Sequence, residues 1–174
     1  AKIPFIKLDE GTKARVEKLV DDSVAITKKD WDSFEISWDF TKHPLLEFPN
    51  ATIQESFNEW EQFKENQFEQ LRANEEELNQ IFIEQYGVEN ELTSDIPDED
   101  ITIRKADVTR DMKSFISYAV GCMLGRYSLD EEGLIFAGGK FDPDKYKKFP
   151  ADEDNILPIL STSSFEDDIV SRFI

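Results

Sequence analysis

Between Pro49 and Gly87 the chain contains neither glycine nor proline, and no other feature narrows the fold as much. Within that stretch Phe57, Trp60, Phe63, Phe68, Leu71, Leu78, Ile81, Phe82 and Tyr86 recur at helical spacing. Thr52 followed by Glu55 is a capping-box signature, and Gly87 supplies a left-handed C-terminal stop. A helix from Ile53 to Tyr86 would be about 50 Å long at a rise of 1.5 Å per residue. Asn74 to Glu77 is its weak point. Those residues read either as a polar stretch of one helix or as the N-cap and acidic first turn of a second. Without a breaker, the continuous or gently kinked helix is favoured.

The second organising stretch is Lys113 to Gly139, KSFISYAVGCMLGRYSLDEEGLIFAGG. A helix from about Thr109 to Arg126 would carry an apolar face of Met112, Phe115, Ile116, Ala119, Val120 and Met123, continuing to Tyr127. Ser117, Gly121 and Gly125 fall four apart on another face. Glycine inside a helix costs roughly 1 kcal/mol relative to alanine, so the stripe predicts close packing rather than helix propensity. The expectation is a central helix buried on two sides, then a turn and a short strand from Leu134 to Ala137.

The remaining segments fill in around these two. Ile3 to Leu8 contains Pro4 and predicts an extended arm or an edge strand. Asp9 to Thr12 offers capping groups, and Val16, Leu19, Val20, Val24 and Ile26 follow a helical period. A further turn from Thr27 or Asp30 would carry Trp31 and Phe34. This helix is expected to end before His43, which precedes Pro44. Ile101 to Ile103 alternates like a very short strand and could pair with Leu134 to Ala137. Asn155 to Leu160 is an apolar extended run, and Phe165 to Ile174 reads as a helix that stops mid-pattern, as an excised piece of a longer polypeptide would. The fold class expected is mainly α: a helical bundle with long antiparallel helices, a central buried helix and a small β element, formed as a single region over residues 1–174.

Fourteen phenylalanines and three tryptophans suffice for a core, so global disorder is excluded. A net charge of −18 disfavours general tracking of a phosphate backbone, whose affinity rests on basic side chains. It suits basic partners instead. No apolar run is long enough for a membrane span, and the N-terminal residues resemble no targeting sequence, so a cytoplasmic protein is expected. The single cysteine, Cys122, excludes an internal disulfide and reads as a buried, inert thiol. His43, the only histidine, reads as a loop or cap residue, because no nucleophile or second ligand lies near it in sequence.

No lysine or arginine occurs between Arg72 and Arg104, where ten acidic residues do. That segment reads as a solvated face and acidic loop. It lacks the glycine and ligand spacing of a calcium loop, and no metal site is expected. The one locally basic patch is the loop holding Lys140, Lys145, Lys147 and Lys148, interspersed with Asp142, Asp144, Phe141, Tyr146 and Phe149. Lysines and stacking aromatics in one loop make it the candidate nucleic-acid contact, against the plainer reading of a solvated loop. Neither a phosphate-binding glycine loop nor a nucleophile elbow nor a zinc-binding histidine pair is present in the sequence.

Taken in order, the runs KKDWDSFEISWDFTKHPLL, NEEELNQIFIEQYG, DITIRKAD, Lys113 to Gly139 and DEDNILPI resemble one family. They resemble the region beyond the catalytic domain of PglX-type adenine-specific DNA methyltransferases of BREX phage-defence systems. Those enzymes are related to single-chain restriction-modification proteins, and the resemblance runs from about Ile3 to the end. It implies a parent enzyme that uses S-adenosylmethionine and acts on a base flipped out of the duplex. The family's catalytic tetrapeptide, Asn-Pro-Pro-Tyr or a close variant, does not occur in this sequence, nor does the cofactor motif. No catalytic or cofactor-binding residue is therefore transferred.

The resemblance implies a non-catalytic helical spacer or target-recognition-associated region. Its partners would be the methyltransferase and recognition domains of the same polypeptide, duplex DNA through the local lysine loop, and other defence-system proteins. The competing expectation is a free-standing acidic interaction protein that mimics DNA. A third, a methyltransferase complete in itself, would require S-adenosylmethionine binding by this chain.

Overall fold

In the computed structural model, residues 5–159 and 168–173 are described. The first residues of the expected N-terminal arm, the end of the run to Leu160, and Phe165, where the last helix was expected to start, lie outside them. The described residues form four α-helices: α1 (Glu10–Asp32), α2 (Ile53–Tyr86), α3 (Val108–Met123) and α4 (Ile169–Phe173), with three short 3-10 turns. The chain is mainly helical, as its periodicity predicts. Among the described residues there is no strand. Ile101 instead donates its N–H to Asp98 O at 3.3 Å, closing a tight turn, and Ile135 donates to Arg126 O at 3.0 Å, closing the loop that follows α3. No helix of the described residues is long and apolar enough to cross a membrane.

The chain divides into two compact units, Ala1–Trp31 with Asn58–Ala106, and Asp32–Phe57 with Asp107–Ile174. The first unit is built on α1 and most of α2. α1 starts where the Asp9 carboxylate accepts the N–H groups of Gly11 and Thr12 at 2.9 and 3.0 Å. α2 is one helix through Asn74. Its capping box forms as the sequence predicts: Glu55 N–H donates to the Thr52 hydroxyl at 3.2 Å and Thr52 N–H to the Glu55 carboxylate at 3.1 Å. At the far end Gly87 takes φ +66°. Asn74 is buried and caps nothing. Its side chain accepts from Gln70 at 2.8 Å and donates to Ser23 of α1 at 3.4 Å.

Side chains of α1 and α2 meet as Arg15 with Glu77, Ser23 with Asn74, and Asp30 with Lys64, so partners descend α2 as they ascend α1. The apolar core beside them consists of Phe68, Leu71, Ile101 and Ile103, with Ile26 and Ile96 packed against it. Near the end of α2, Ile83 is buried while Phe82, an expected core residue, is 40% exposed.

In the second unit, α1 gives way at Asp32, earlier than the expected stop before His43. The Ser37 hydroxyl donates to the Asp32 carboxylate at 2.7 Å and accepts Asp39 N–H at 3.1 Å. Such short side-chain bonds compete with helix continuation. His43 is the N-cap of the 3-10 turn Pro44–Glu47, its Nδ1 accepting Leu45 N–H at 3.3 Å.

α3 begins at Asp107, whose carboxylate accepts Arg110 N–H at 2.7 Å. It ends sooner than predicted. Arg126 N–H reaches Gly121 O at 2.7 Å and Gly125 N–H reaches Cys122 O at 3.0 Å, the paired bonds of a Schellman cap. Gly125, at φ +75°, thus lies past the helix rather than within it. The core of the unit is Phe40, Tyr118, Cys122 and Tyr127, with Phe149 against it. The buried face of α3 therefore runs through Tyr118 and Cys122. Ile116, placed on the core face by periodicity, is half exposed.

Candidate functional site

The second unit holds the small-residue stripe and the lysine loop that the sequence singled out. Gly121 lets the Tyr127 ring lie against α3: a Cβ there would come within 2.7 Å of that ring. A Cβ on Gly125 would meet Phe141 at 3.1 Å and Ala151 at 3.3 Å. Both glycines are approached by side chains of the loop that follows. Ser117, the third member of the stripe, is exposed.

That loop is fixed to the end of α3. The Tyr146 hydroxyl donates to Gly125 O at 2.6 Å, and Asp152 N–H to Met123 O at 2.7 Å. The Tyr146 ring stacks on Phe141 with centroids 5.0 Å apart, and Phe136 meets Phe141 edge-on at 5.5 Å. The loop aromatics thus stack on one another, and Phe149 packs on the core.

The four lysines separate into two kinds. Lys145 pairs with Glu131 at 3.0 Å, and that hydrogen bond holds its ammonium above the usual range. Lys148 donates its ammonium to Leu129 O at 3.1 Å and its backbone N–H to Asp130 at 2.8 Å. Lys140 and Lys147 are exposed and make no ion pair among the described residues. From Arg126 to Lys148 the sequence holds five basic and five acidic residues. The loop is therefore locally neutral, with two lysines directed to structure and two left at the surface.

The nucleophile and base candidates of the unit are both held in their uncharged forms. Burial pushes the Cys122 thiol up to about 11, against a lowering hydrogen bond with Tyr118. Burial brings His43 down to about 4, opposed by the nearby Asp111 carboxylate. At neutral pH His43 is a neutral ring whose Nδ1 is committed to the Leu45 N–H, and Cys122 is a thiol rather than a thiolate. Among the described residues no group of three or more histidine, cysteine, aspartate or glutamate side chains is placed to hold a metal ion.

Periodicity overlooked one arrangement in the first unit. Lys64, 1% exposed, forms an ion pair with Asp30 beneath the Trp60 ring. The signal was present: Lys64 stands at i+4 from Trp60 and i−4 from Phe68, on the buried stripe itself.

No family model matches the chain. It is 41% identical over 91% of its length to the adenine-specific methyltransferase PglX of Lacticaseibacillus casei strain Zhang. It is 35% identical over 98% of its length to the adenine-specific methyltransferase BrxX of Escherichia coli O9:H4 strain HS. The chain is related to the PglX/BREX-type adenine-specific methyltransferases. It spans 14% and 16% of the lengths of those two relatives. What PglX and BrxX share with this chain is thus a segment that makes up a minor part of each relative.

Proposed function

We propose that the chain serves as a non-catalytic helical region of an S-adenosylmethionine-dependent, adenine-specific DNA methyltransferase acting in phage defence. It would space or orient the catalytic and target-recognition parts. The observation that carries this reading is the 41% identity over 91% of the chain to a segment that makes up 14% of an adenine-specific methyltransferase. The antiparallel order of the α1 and α2 contacts suits a spacer, since two long helices braced side by side resist bending better than one. Duplex DNA, where this region touches it, meets Lys140 and Lys147.

S-adenosylmethionine supplies the methyl group in such enzymes. At Gly121 and Gly125, where small residues could let a cofactor approach closely, the space is taken by Tyr127, Phe141, Ala151 and Tyr146. The cofactor and the base to be methylated are assigned to the remainder of the polypeptide.

Deleting the aligned segment from the L. casei relative tests the reading. Site-specific adenine methylation should be lost or lose its specificity, while S-adenosylmethionine binding by calorimetry persists. Methylation unchanged in rate and site would overturn it, as would S-adenosylmethionine binding by the 174-residue chain alone.

A further inference from the structure

The last turns of α2 leave large apolar side chains uncovered. Phe82 is 40% exposed, Tyr86 one turn on is 44%, and Leu92 in the turn that follows is 61%. All three belong to the first unit. Periodicity assigned Phe82 to the core, yet nothing in its own unit covers it. Apolar side chains scattered singly over a surface need no explanation, but several gathered at one end of a unit mark an interaction site.

The turn that carries Leu92 is fixed to the helix. Gly87 N–H donates to Glu84 O at 3.2 Å, Val88 N–H to Ile83 O at 3.1 Å, and Leu92 N–H to Val88 O at 3.1 Å. The chain then runs back along α2, where Asn79 donates to Ser94 O at 3.4 Å and Ile96 N–H to the Glu76 carboxylate at 3.2 Å. Two extended residues rise about 7 Å and four helical residues about 6 Å, so Leu92 stands level with Phe82 and Ile83. A side chain on a backbone already held in place loses less freedom when a partner covers it.

The charges around this face indicate what covers it. Glu77 is answered by Arg15, and Glu76 and Glu84 accept from Ile96 N–H and the Gln80 amide. Glu75, Glu89, Glu91 and Asp95 make no ion pair and no side-chain hydrogen bond among the described residues. Glu75 lies two helical turns before Phe82 on the same face, and burial alone raises its carboxyl above the usual range. The chain has no lysine or arginine between Arg72 and Arg104 to meet these carboxylates. On α1, Lys13 is spent on Glu17 at 3.7 Å, and Lys7, ahead of that helix, is exposed and pairs with none of the four. The complement of an apolar face with an unanswered acidic rim is an apolar side chain flanked by cations.

We propose that the Phe82–Leu92 face at the end of α2 docks a polypeptide segment in which an apolar side chain is flanked by lysine or arginine. The remainder of the methyltransferase polypeptide supplies that segment. The aligned portion is 14% of the L. casei relative, so most of such a polypeptide lies outside it, and a tethered segment binds at high effective concentration. This rests on the proposed accessory role, and adds where and by what chemistry the region is held.

The test is photo-cross-linking in the full-length methyltransferase that carries this chain, with Leu92 replaced by the photoreactive analogue benzoylphenylalanine. The expected product, located by mass spectrometry, joins position 92 to a peptide outside the 174 residues that contains lysine or arginine. Phe82 replaced by the same analogue is a second probe and should reach the same peptide. Reversing the rim with Glu89→Lys and Glu91→Lys should lower the yield about tenfold or more at low salt. Glu99→Lys, an exposed charge beyond the face, should leave it unchanged, and circular dichroism establishes that both variants stay folded. No product outside the 174 residues from either probe, or a yield indifferent to the charge reversal, overturns the docking surface. The deletion assay then decides the accessory role separately. A product joining two isotopically distinct copies, or one formed with a separate protein, would assign the face to that partner and overturn the proposal.

Discussion

Lys64 of α2 and Asp30 of α1 form an ion pair inside the first unit, with the lysine 1% and the aspartate 8% exposed. A buried pair is costly to break because either partner alone is an uncompensated charge. Lys64→Met should destabilise the first unit by about 3–5 kcal/mol, and Asp30→Leu by a similar amount. The double variant should recover most of the loss. Urea unfolding of the four proteins, read as a double-mutant cycle, checks this; strictly additive losses would contradict it.

Gly125 and Gly87 both have positive φ, +75° and +66°, but differ in their surroundings. No atom lies within 4 Å of a Cβ built on Gly87, whereas Gly125 faces Phe141 and Ala151. Gly87→Ala should cost only the left-handed backbone penalty, about 1–2 kcal/mol. Gly125→Ala adds crowding and should cost about 2–4 kcal/mol. Equal shifts in the two denaturation midpoints would mean that the loop yields freely around position 125.

His43 gives the second unit a dependence on acid. Its pKa falls from 6.5 to about 4, chiefly through burial. Because the folded value is depressed, the contribution is complete above pH 6.5 and is lost as the pH falls through 4. It amounts to about 3 kcal/mol. His43→Asn keeps an acceptor for the Leu45 N–H and removes the titration. Between pH 6.5 and 4 its stability should fall less steeply than that of the wild type, as followed by urea midpoints across that range.

The lysine loop makes a quantitative prediction about DNA. With only Lys140 and Lys147 unengaged, at most two phosphates are neutralised, so log K against log salt should have a slope near −1.8 by fluorescence anisotropy. A slope near −3.6 would show that Lys145 and Lys148 abandon Glu131 and Leu129 on binding.

The sequence made α2 legible because every local signal agreed: a cap at Thr52, an apolar stripe, no breaker, and a glycine at the end. It was less informative where a residue type hides its environment. Lys64 and Asn74 occupy buried positions of the stripe although both side chains are polar. Met123 is buried as the apolar pattern of α3 predicts, but Tyr118, Gly121 and Cys122, buried beside it, do not belong to the pattern that guided the choice of Ile116. Gly125 was placed inside α3 because spacing alone cannot tell a helix position from the C-cap just past it. The expected strands failed for a related reason. Alternation over three or four residues fits a turn as well as a strand when no neighbouring backbone takes up the bonds. The lysines of the loop are visible in the sequence, but the pairing of Lys145 with Glu131 and of Lys148 with Leu129 depends on a fold-back that no local pattern encodes.

The unbroken course of α2 makes that helix sensitive to phase. Each inserted residue turns everything beyond it by about 100° and advances it by 1.5 Å. A single insertion between Lys64 and Glu77 would keep Asp30 paired and swing Glu77 away from Arg15. Seven added residues, close to two full turns, would return Glu77 to the same side but about 10 Å along the axis. Length changes in this protein are therefore expected in its loops, while the spacing between Lys64 and Glu77 acts as a fixed gauge.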